Sequence, residues 1–274
     1  MSELIINDSS RRQLNSFKKR IPHAMLFAGP IGIGLATIAR NFADELDLET
    51  TLVLPERKEA VDVEKGTITV KSIRRLYDIA KTKGKPRVII IDYAERMGTA
   101  AQNAFLKLLE EPNNTTHFIL LSHSPETLLP TIISRVQMLT LQKVTKQQSE
   151  AQIKALNVTD PEKRAQILFI AEGLPAEVIR LQNNDYFTTR SQIVRDARTF
   201  ITGATYQRSL IAHLYKDDRQ QALTLLSDVL KLLSLTIKTK RDTALITKLD
   251  MAIAAYARIQ ANGNIRLQLA TALS

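Results

Sequence analysis

The strongest constraint in this chain is the passage from Ala24 to Leu46. There an apolar run, AMLFA, leads directly into the glycine loop Gly29 to Thr37, GPIGIGLAT, and then into residues with helical periodicity. Strand, glycine loop and helix in that order are the context a phosphate-binding loop requires. A working loop of the form G-x-x-x-x-G-K-[ST] points backbone N–H groups at one spot. It adds a lysine for the β- and γ-phosphates and a hydroxyl for Mg²⁺. Gly29 and Gly34 have the correct spacing, and Pro30 and Gly32 shape the turn. The lysine position is Leu35 and the hydroxyl position is Ala36. Thr37 comes one residue late, and one step along a helix turns a side chain by about 100°. The cradle therefore lacks its cation and its metal ligand, so neither a bound cofactor nor a metal is expected there.

The rest of the first half alternates strands and helices. A first helix is expected up to about Leu26, with Ser9 or Ser10 as N-cap and Leu14 and Phe17 on one face. A second runs from Ile38 to Leu46, and Asp47 to Gly66 gives no clear pattern. Ile68 to Val70 reads as a short strand, and Ser72 can cap a helix burying Ile73, Leu76 and Ile79. RVIIID, Arg87 to Asp92, reads as a buried parallel strand with a carboxylate at its C-terminal end, where α/β sheets hold ligands. Thr99 to Glu111 is an amphipathic helix stopped by Pro112, and Phe118 to Ser122 is another aliphatic strand. A short apolar segment ends at Leu141. This alternation indicates a doubly wound parallel sheet.

From Val144 the strands disappear. Lys146 to Asn184 reads as two or three short helices around Pro161 and Gly173-Leu174-Pro175, and everything from Asp185 onward is helical. The expected division is an α/β domain over 1–143, a small helical lid over 144–184 and an all-α domain over 185–274. Leu223, Leu226, Leu230, Leu233 and Ile237 recur three and four apart, a seam serving either intramolecular core or an oligomer contact.

Composition excludes several chemistries. With no cysteine there is no disulfide, thiol nucleophile or cysteine-ligated zinc, and His23, His117, His123 and His213 lack metal-ligand spacing. The absence of a long apolar run or a secretory pattern at the N-terminus leads to the expectation of a cytoplasmic protein without a membrane span. The net charge of +10 suits a polyanionic partner. Between Lys71 and Arg87 stand seven basic residues, Lys71, Arg74, Arg75, Lys81, Lys83, Lys85 and Arg87, against the single acid Asp78. Lys71, Arg74 and Arg75 would lie near a helix start, where cations oppose the dipole unless an anion compensates.

Four stretches together resemble the AAA+ clamp loaders of bacterial DNA polymerase III. They are Pro22-His23-Ala24 with the GPIGIGLAT loop, VIIIDYAERM from Val88 to Met97, AAQNAFLKLLEEP from Ala100 to Pro112, and LLPTIISRVQ from Leu128 to Gln137. The likeness weakens at AEGLPAEVIRL, Ala171 to Leu181, and returns at RIQANGNIRLQL, Arg258 to Leu269. It implies an AAA+ doubly wound parallel sheet domain, a helical lid, and a C-terminal collar domain joining motor subunits and a delta-type subunit in a hetero-oligomeric ring. Its implied role is loading the sliding clamp onto primer-template DNA, and direct contact with the clamp is left open.

Departures from the active pattern imply a non-catalytic stator. Asp92 stands in the metal-binding strand, but the general-base position is Tyr93, which cannot act as a base at neutral pH. The lid arginine position, counted from Gly173, is Ala176. Ser134-Arg135-Val136 matches the family's Ser-Arg-Cys motif, whose arginine enters a neighbouring subunit's ATP site in trans. Such a finger can be worth ~10³ to 10⁵ in rate. The resemblance also makes Arg74, with Lys71 and Ser72, candidates for sequence-independent phosphate contacts with DNA. Many relatives carry a four-cysteine zinc module where residues 48–66 stand here without one. Competing readings are a weak nucleotide-binding ATPase and a standalone DNA-binding protein.

Overall fold

The computed structural model describes residues 4–63, 65–81, 84–111, 115–239 and 242–272. Lys83 and Pro112, singled out above, lie outside them, as does the side chain of Lys81. The chain forms two compact units, Met1–Ile179 and Arg180–Ser274.

The first unit opens with α1 (Asp8–Lys19), followed by β1 (Ala24–Ala28), α2 (Leu35–Glu45) and β2 (Glu49–Val53). A small hairpin of β3 (Glu56–Arg57) and β4 (Ala60–Val61) precedes α3 (Val70–Lys81) and β5 (Arg87–Ile91). Then come α4 (Thr99–Glu110), β6 (Thr116–Ser122), α5 (Pro130–Ile133) and β7 (Gln137–Thr140). The main sheet has the order β2-β5-β6-β1-β7, and its strand pairs are parallel. Interior strand β1 pairs Leu26 with Leu120 of β6 and Met138 of β7.

Both faces of the sheet are covered, which is why β1 and β5 read as unbroken apolar runs. Met25 and Phe27 point into one core with Phe17, Phe42 and Ile90, while Ala24 and Leu26 join Phe105, Phe118 and Ile89 in the other. Each fully buried large side chain contributes about 1.5–3 kcal/mol before entropic costs. A bridging residue, Gln102, is buried on α4. Its side chain donates to the Met97 carbonyl at 3.0 Å and accepts the Leu129 N–H at 2.7 Å. One side chain thus fixes the start of α5 to α4.

Local boundaries differ from expectation in four places. Helix α1 stops at Lys19 instead of continuing towards Leu26, because Pro22 cannot donate and its predecessor is driven out of helical geometry. Its N-cap is Asn7, whose side chain accepts the Ser9 N–H, rather than Ser9 or Ser10. Ser10 instead ties the helix to the chain after β7, accepting the Gln142 N–H at 3.1 Å. Ser72 does not cap α3: Thr69 does, its hydroxyl accepting the Ser72 N–H at 3.2 Å. Ile68 makes a single parallel bridge to Met97 rather than a strand through Val70. The unassigned region 47–66 holds edge strand β2 and the hairpin, whose turn puts Lys58 and Glu59 at φ 51° and 64°.

The unit closes with three helices: α6 (Lys146–Ala155), α7 (Pro161–Ala171) and α8 (Pro175–Arg180). Thr145 and Gln148 form a capping box on α6, and Asp160 caps α7 with Pro161 in first position. Gly173 has φ +80°, and a Cβ there would stand 2.6 Å from the Val144 carbonyl oxygen, so only glycine fits this turn into α8.

The second unit is a helical bundle of α9 (Asn184–Thr202), α10 (Thr205–Leu214), α11 (Arg219–Thr239), α12 (Thr243–Gln260) and α13 (Ile265–Thr271). The leucine seam is intramolecular core: Leu226 and Leu233 are fully buried, and Leu223 and Leu230 pack against the same cluster. Arg190 and Asp228 form a buried ion pair at 3.0 Å. The Tyr215 hydroxyl donates to Asp196 at 2.7 Å, and burial raises its pKa far above the ordinary range. No helix among the described residues is long and apolar enough to cross a membrane.

Candidate functional site

The glycine loop leaves the C-terminal end of β1, with the Gly29 N–H donating to the Ser122 carbonyl at 3.3 Å. Gly32 and Gly34 take φ +88° and +95°, conformations that L side chains rarely adopt. Gly34 is the N-cap of α2 and offers no side-chain cap. Leu35, in the lysine position, is 3% exposed and packs in the core with Phe27 and Phe42. An ammonium there would be buried in hydrocarbon. Ala36 is partly buried against the same core, and Thr37 faces solvent.

The loop also carries the first turn of α8. The Ala176 and Glu177 N–H groups donate to the Gly32 carbonyl at 3.0 and 3.3 Å. The missing Cβ of Gly32 would lie 3.3 Å from the Glu177 Cβ, and that of Gly34 would lie 3.6 Å from the Ala176 Cβ. Helix-start amides need an outside acceptor, and here the loop supplies it. Ala176, where the resemblance implies an arginine, contributes a methyl group to this contact.

Across the ends of β5 and β6, Asp92 is occupied locally. Its Oδ1 accepts the Tyr93 N–H at 3.0 Å, holding Tyr93 at φ 54°. Burial raises the Asp92 pKa, opposed by that hydrogen bond and by His123. Tyr93 packs edge-on against His123, whose Nδ1 lies 2.7 Å from the Gly29 carbonyl oxygen. The His123 N–H donates to Glu95 Oε1 at 3.3 Å. His123 and Glu95 therefore knit the strand ends to the loop, an arrangement that spacing alone does not reveal. Among the described residues no group of three or more His, Cys, Asp or Glu side chains is arranged to hold a metal.

Arg135 stands apart, in the turn after α5. Its side chain is 40% exposed. Nη1 donates to the Thr131 carbonyl and Nη2 to Glu110 Oε1, both at 3.1 Å. The Ser134 hydroxyl donates to the same Thr131 carbonyl at 3.1 Å, and Val136 packs partly buried against the core. Gln102, missed in the sequence because a glutamine on an amphipathic helix carries no signal, fixes the segment that presents Arg135.

Lys71, Arg74 and Arg75 are exposed on the first turns of α3, and Ser72 is half-buried beside Thr69. Arg87 leaves this basic field: its side chain is 11% exposed and donates to the Ile79 carbonyl at 3.0 Å, with Glu49 nearby at 3.7 Å.

A five-stranded parallel sheet with β1 between β6 and β7, a glycine loop at the end of β1 and helices following the sheet make up a fold of the AAA+ type. A solved structure shares this fold over the full length: the DNA polymerase III gamma subunit-related protein of Thermotoga maritima. It has a TM-score of 0.57 and 16% identity, and the alignment covers 97% of each chain. The family described as DNA polymerase III, delta subunit, matches residues 54–145. The DNA polymerase III subunit delta' of Pseudomonas aeruginosa is 30% identical over 201 residues, 65% of this chain and 61% of the relative. That of Bacillus subtilis is 27% identical over 208 residues, 66% and 60%. The chain thus spans about three fifths of the length of these curated relatives. Over that span it is similar to the delta-prime subunits of DNA polymerase III.

Proposed function

We propose that this chain is a non-catalytic stator subunit of a bacterial clamp loader in DNA replication, with a broken nucleotide site of its own and Arg135 serving a neighbouring subunit's ATP in trans. The observation that carries the reading is the glycine loop. Its cation position is the core residue Leu35, and its Gly32 carbonyl is engaged by the amides of α8. Tyr93 in the general-base position supports the same conclusion. A lid turn held to the loop by backbone hydrogen bonds suits a rigid member of a ring whose other members move.

Its partners are motor subunits and a delta-type subunit, joined through the C-terminal helices, and the assembly works in the cytoplasm. Primer-template DNA meets Arg74 and Lys71 through phosphates, and the sliding clamp is the cargo. Calorimetric titration of the isolated chain with Mg·ATP tests the broken site. The expected result is no saturable binding up to about 1 mM, the concentration that corresponds to ~4 kcal/mol of affinity. A dissociation constant in the micromolar range would overturn the reading in favour of a nucleotide-binding ATPase.

A further inference from the structure

We propose that Glu110 is the positioning residue for Arg135, a role that rests on the reading of Arg135 as an arginine acting in trans. The guanidinium is held at two corners by two different elements. Thr131, in the first turn of α5, supplies a carbonyl to Nη1, and Glu110, the last residue of α4, supplies a carboxylate oxygen to Nη2. Two anchors on a planar group fix its plane as well as its place. Among the described residues these bonds use two of the five N–H donors, leaving the others for a phosphate from outside the chain.

The spacing between the anchors is itself fixed. Gln102 on α4 is 4% exposed and accepts the Leu129 N–H at the head of α5. The two helices are therefore docked at one end by a buried amide and joined further along α4 by the Glu110–Arg135 pair. That pair is surface-exposed, 52% and 40%, so it adds little to folding. Its effect is on where a long, flexible cation spends its time. A finger already aligned when it meets a γ-phosphate avoids the ordering cost at the moment of reaction.

The test uses the clamp loader reconstituted with its ATPase subunits, reading DNA-stimulated kcat and KM for ATP. Glu110→Ala should lower kcat about three- to tenfold with KM unchanged. Glu110→Gln keeps an oxygen acceptor for Nη2 and should stay within about twofold of wild type, showing that geometry rather than charge is at stake. In an Arg135→Ala background, Glu110→Ala should change nothing further. The melting temperature of each variant chain should match wild type. If Arg135→Ala lowers kcat but Glu110→Ala leaves it unchanged or raises it, the positioning role is refuted and the trans-acting arginine stands. An equal loss from Glu110→Ala with and without Arg135 also refutes it, because Glu110 would then act elsewhere. If Arg135→Ala itself leaves kcat unchanged, the reading beneath the proposal falls, and the proposal with it.

Discussion

Replacing Gly32 with alanine probes the seat of α8 on the glycine loop, and Gly34→Ala provides its control. Gly32 has φ +88° and Gly34 φ +95°, so each alanine incurs a comparable backbone penalty, about 1–2 kcal/mol for an L residue in left-handed geometry. Their surroundings differ. The new Cβ at position 32 would stand 3.3 Å from the Glu177 Cβ and 3.5 Å from the Leu174 Cβ, tight enough that the α8 turn must yield by a few tenths of an ångström. At position 34 the nearest atom is the Ala176 Cβ at 3.6 Å, an ordinary contact. Moving the α8 turn stretches the bonds from the Ala176 and Glu177 amides to the Gly32 carbonyl, each worth roughly 0.5–1.5 kcal/mol net. Gly32→Ala should therefore cost about 2–3 kcal/mol and Gly34→Ala about 1–2 kcal/mol. Urea denaturation gives the two costs, and amide hydrogen exchange at Ala176 and Glu177 shows where they arise. Protection at those amides should fall in Gly32→Ala and hold in Gly34→Ala. Equal costs with unchanged protection would show that α8 does not rest on the loop in solution.

Other consequences can be measured on the same chain. Asp228→Ala leaves Arg190 buried without its carboxylate and should cost about 3–5 kcal/mol, visible as a lowered melting temperature of the helical unit; a loss below about 1 kcal/mol would mean the pair is hydrated. Burial holds the His23 pKa below its ordinary 6.5, partly offset by the bond to the Leu108 carbonyl. Because the folded state then resists protonation more than the unfolded chain, stability should be full above pH 6.5 and decline as pH falls towards the folded value. In His23→Phe that part of the decline should disappear from denaturation curves taken across the range. Asp92 has the opposite sign for a carboxyl: its pKa is raised, so its contribution is full below the unfolded value of 3.8 and lost as pH rises through the folded one. Asp92→Asn keeps an oxygen for the Tyr93 N–H and should be more stable than wild type at pH 7.5, with the gap closing in acid.

What the sequence conveyed depended on how each element is buried. Strands β1 and β5 were legible because both their faces are covered, which forces unbroken runs such as VIII at Val88 to Ile91. Edge strand β2, Glu49 to Val53, was not, since its residues are exposed or half-buried and so carry no apolar signature. The loop's departure from the G-x-x-x-x-G-K-[ST] pattern was readable in Leu35 and Ala36, because residue identity is given directly. The contact of α8 with the loop was not, because the Gly32 carbonyl and the Ala176 amide are backbone groups of a kind common to nearly every residue. Arg135 could be picked out by motif, whereas Glu110 and Gln102 needed the packing of α4 against α5 to acquire meaning. Helix starts failed for a local reason: Asn7 and Thr69 each precede a serine that could have capped equally well.

The most direct test of a stator that completes its neighbour's site is single-turnover ATP hydrolysis by the reconstituted clamp loader carrying Arg135→Ala, after confirming that the variant still assembles and that ATP affinity is retained. A fall of tenfold or more in the hydrolysis step, about 1.4 kcal/mol of lost transition-state stabilisation, is the predicted result. An unchanged rate in an intact assembly would contradict it and make Arg135 a surface residue of the fold.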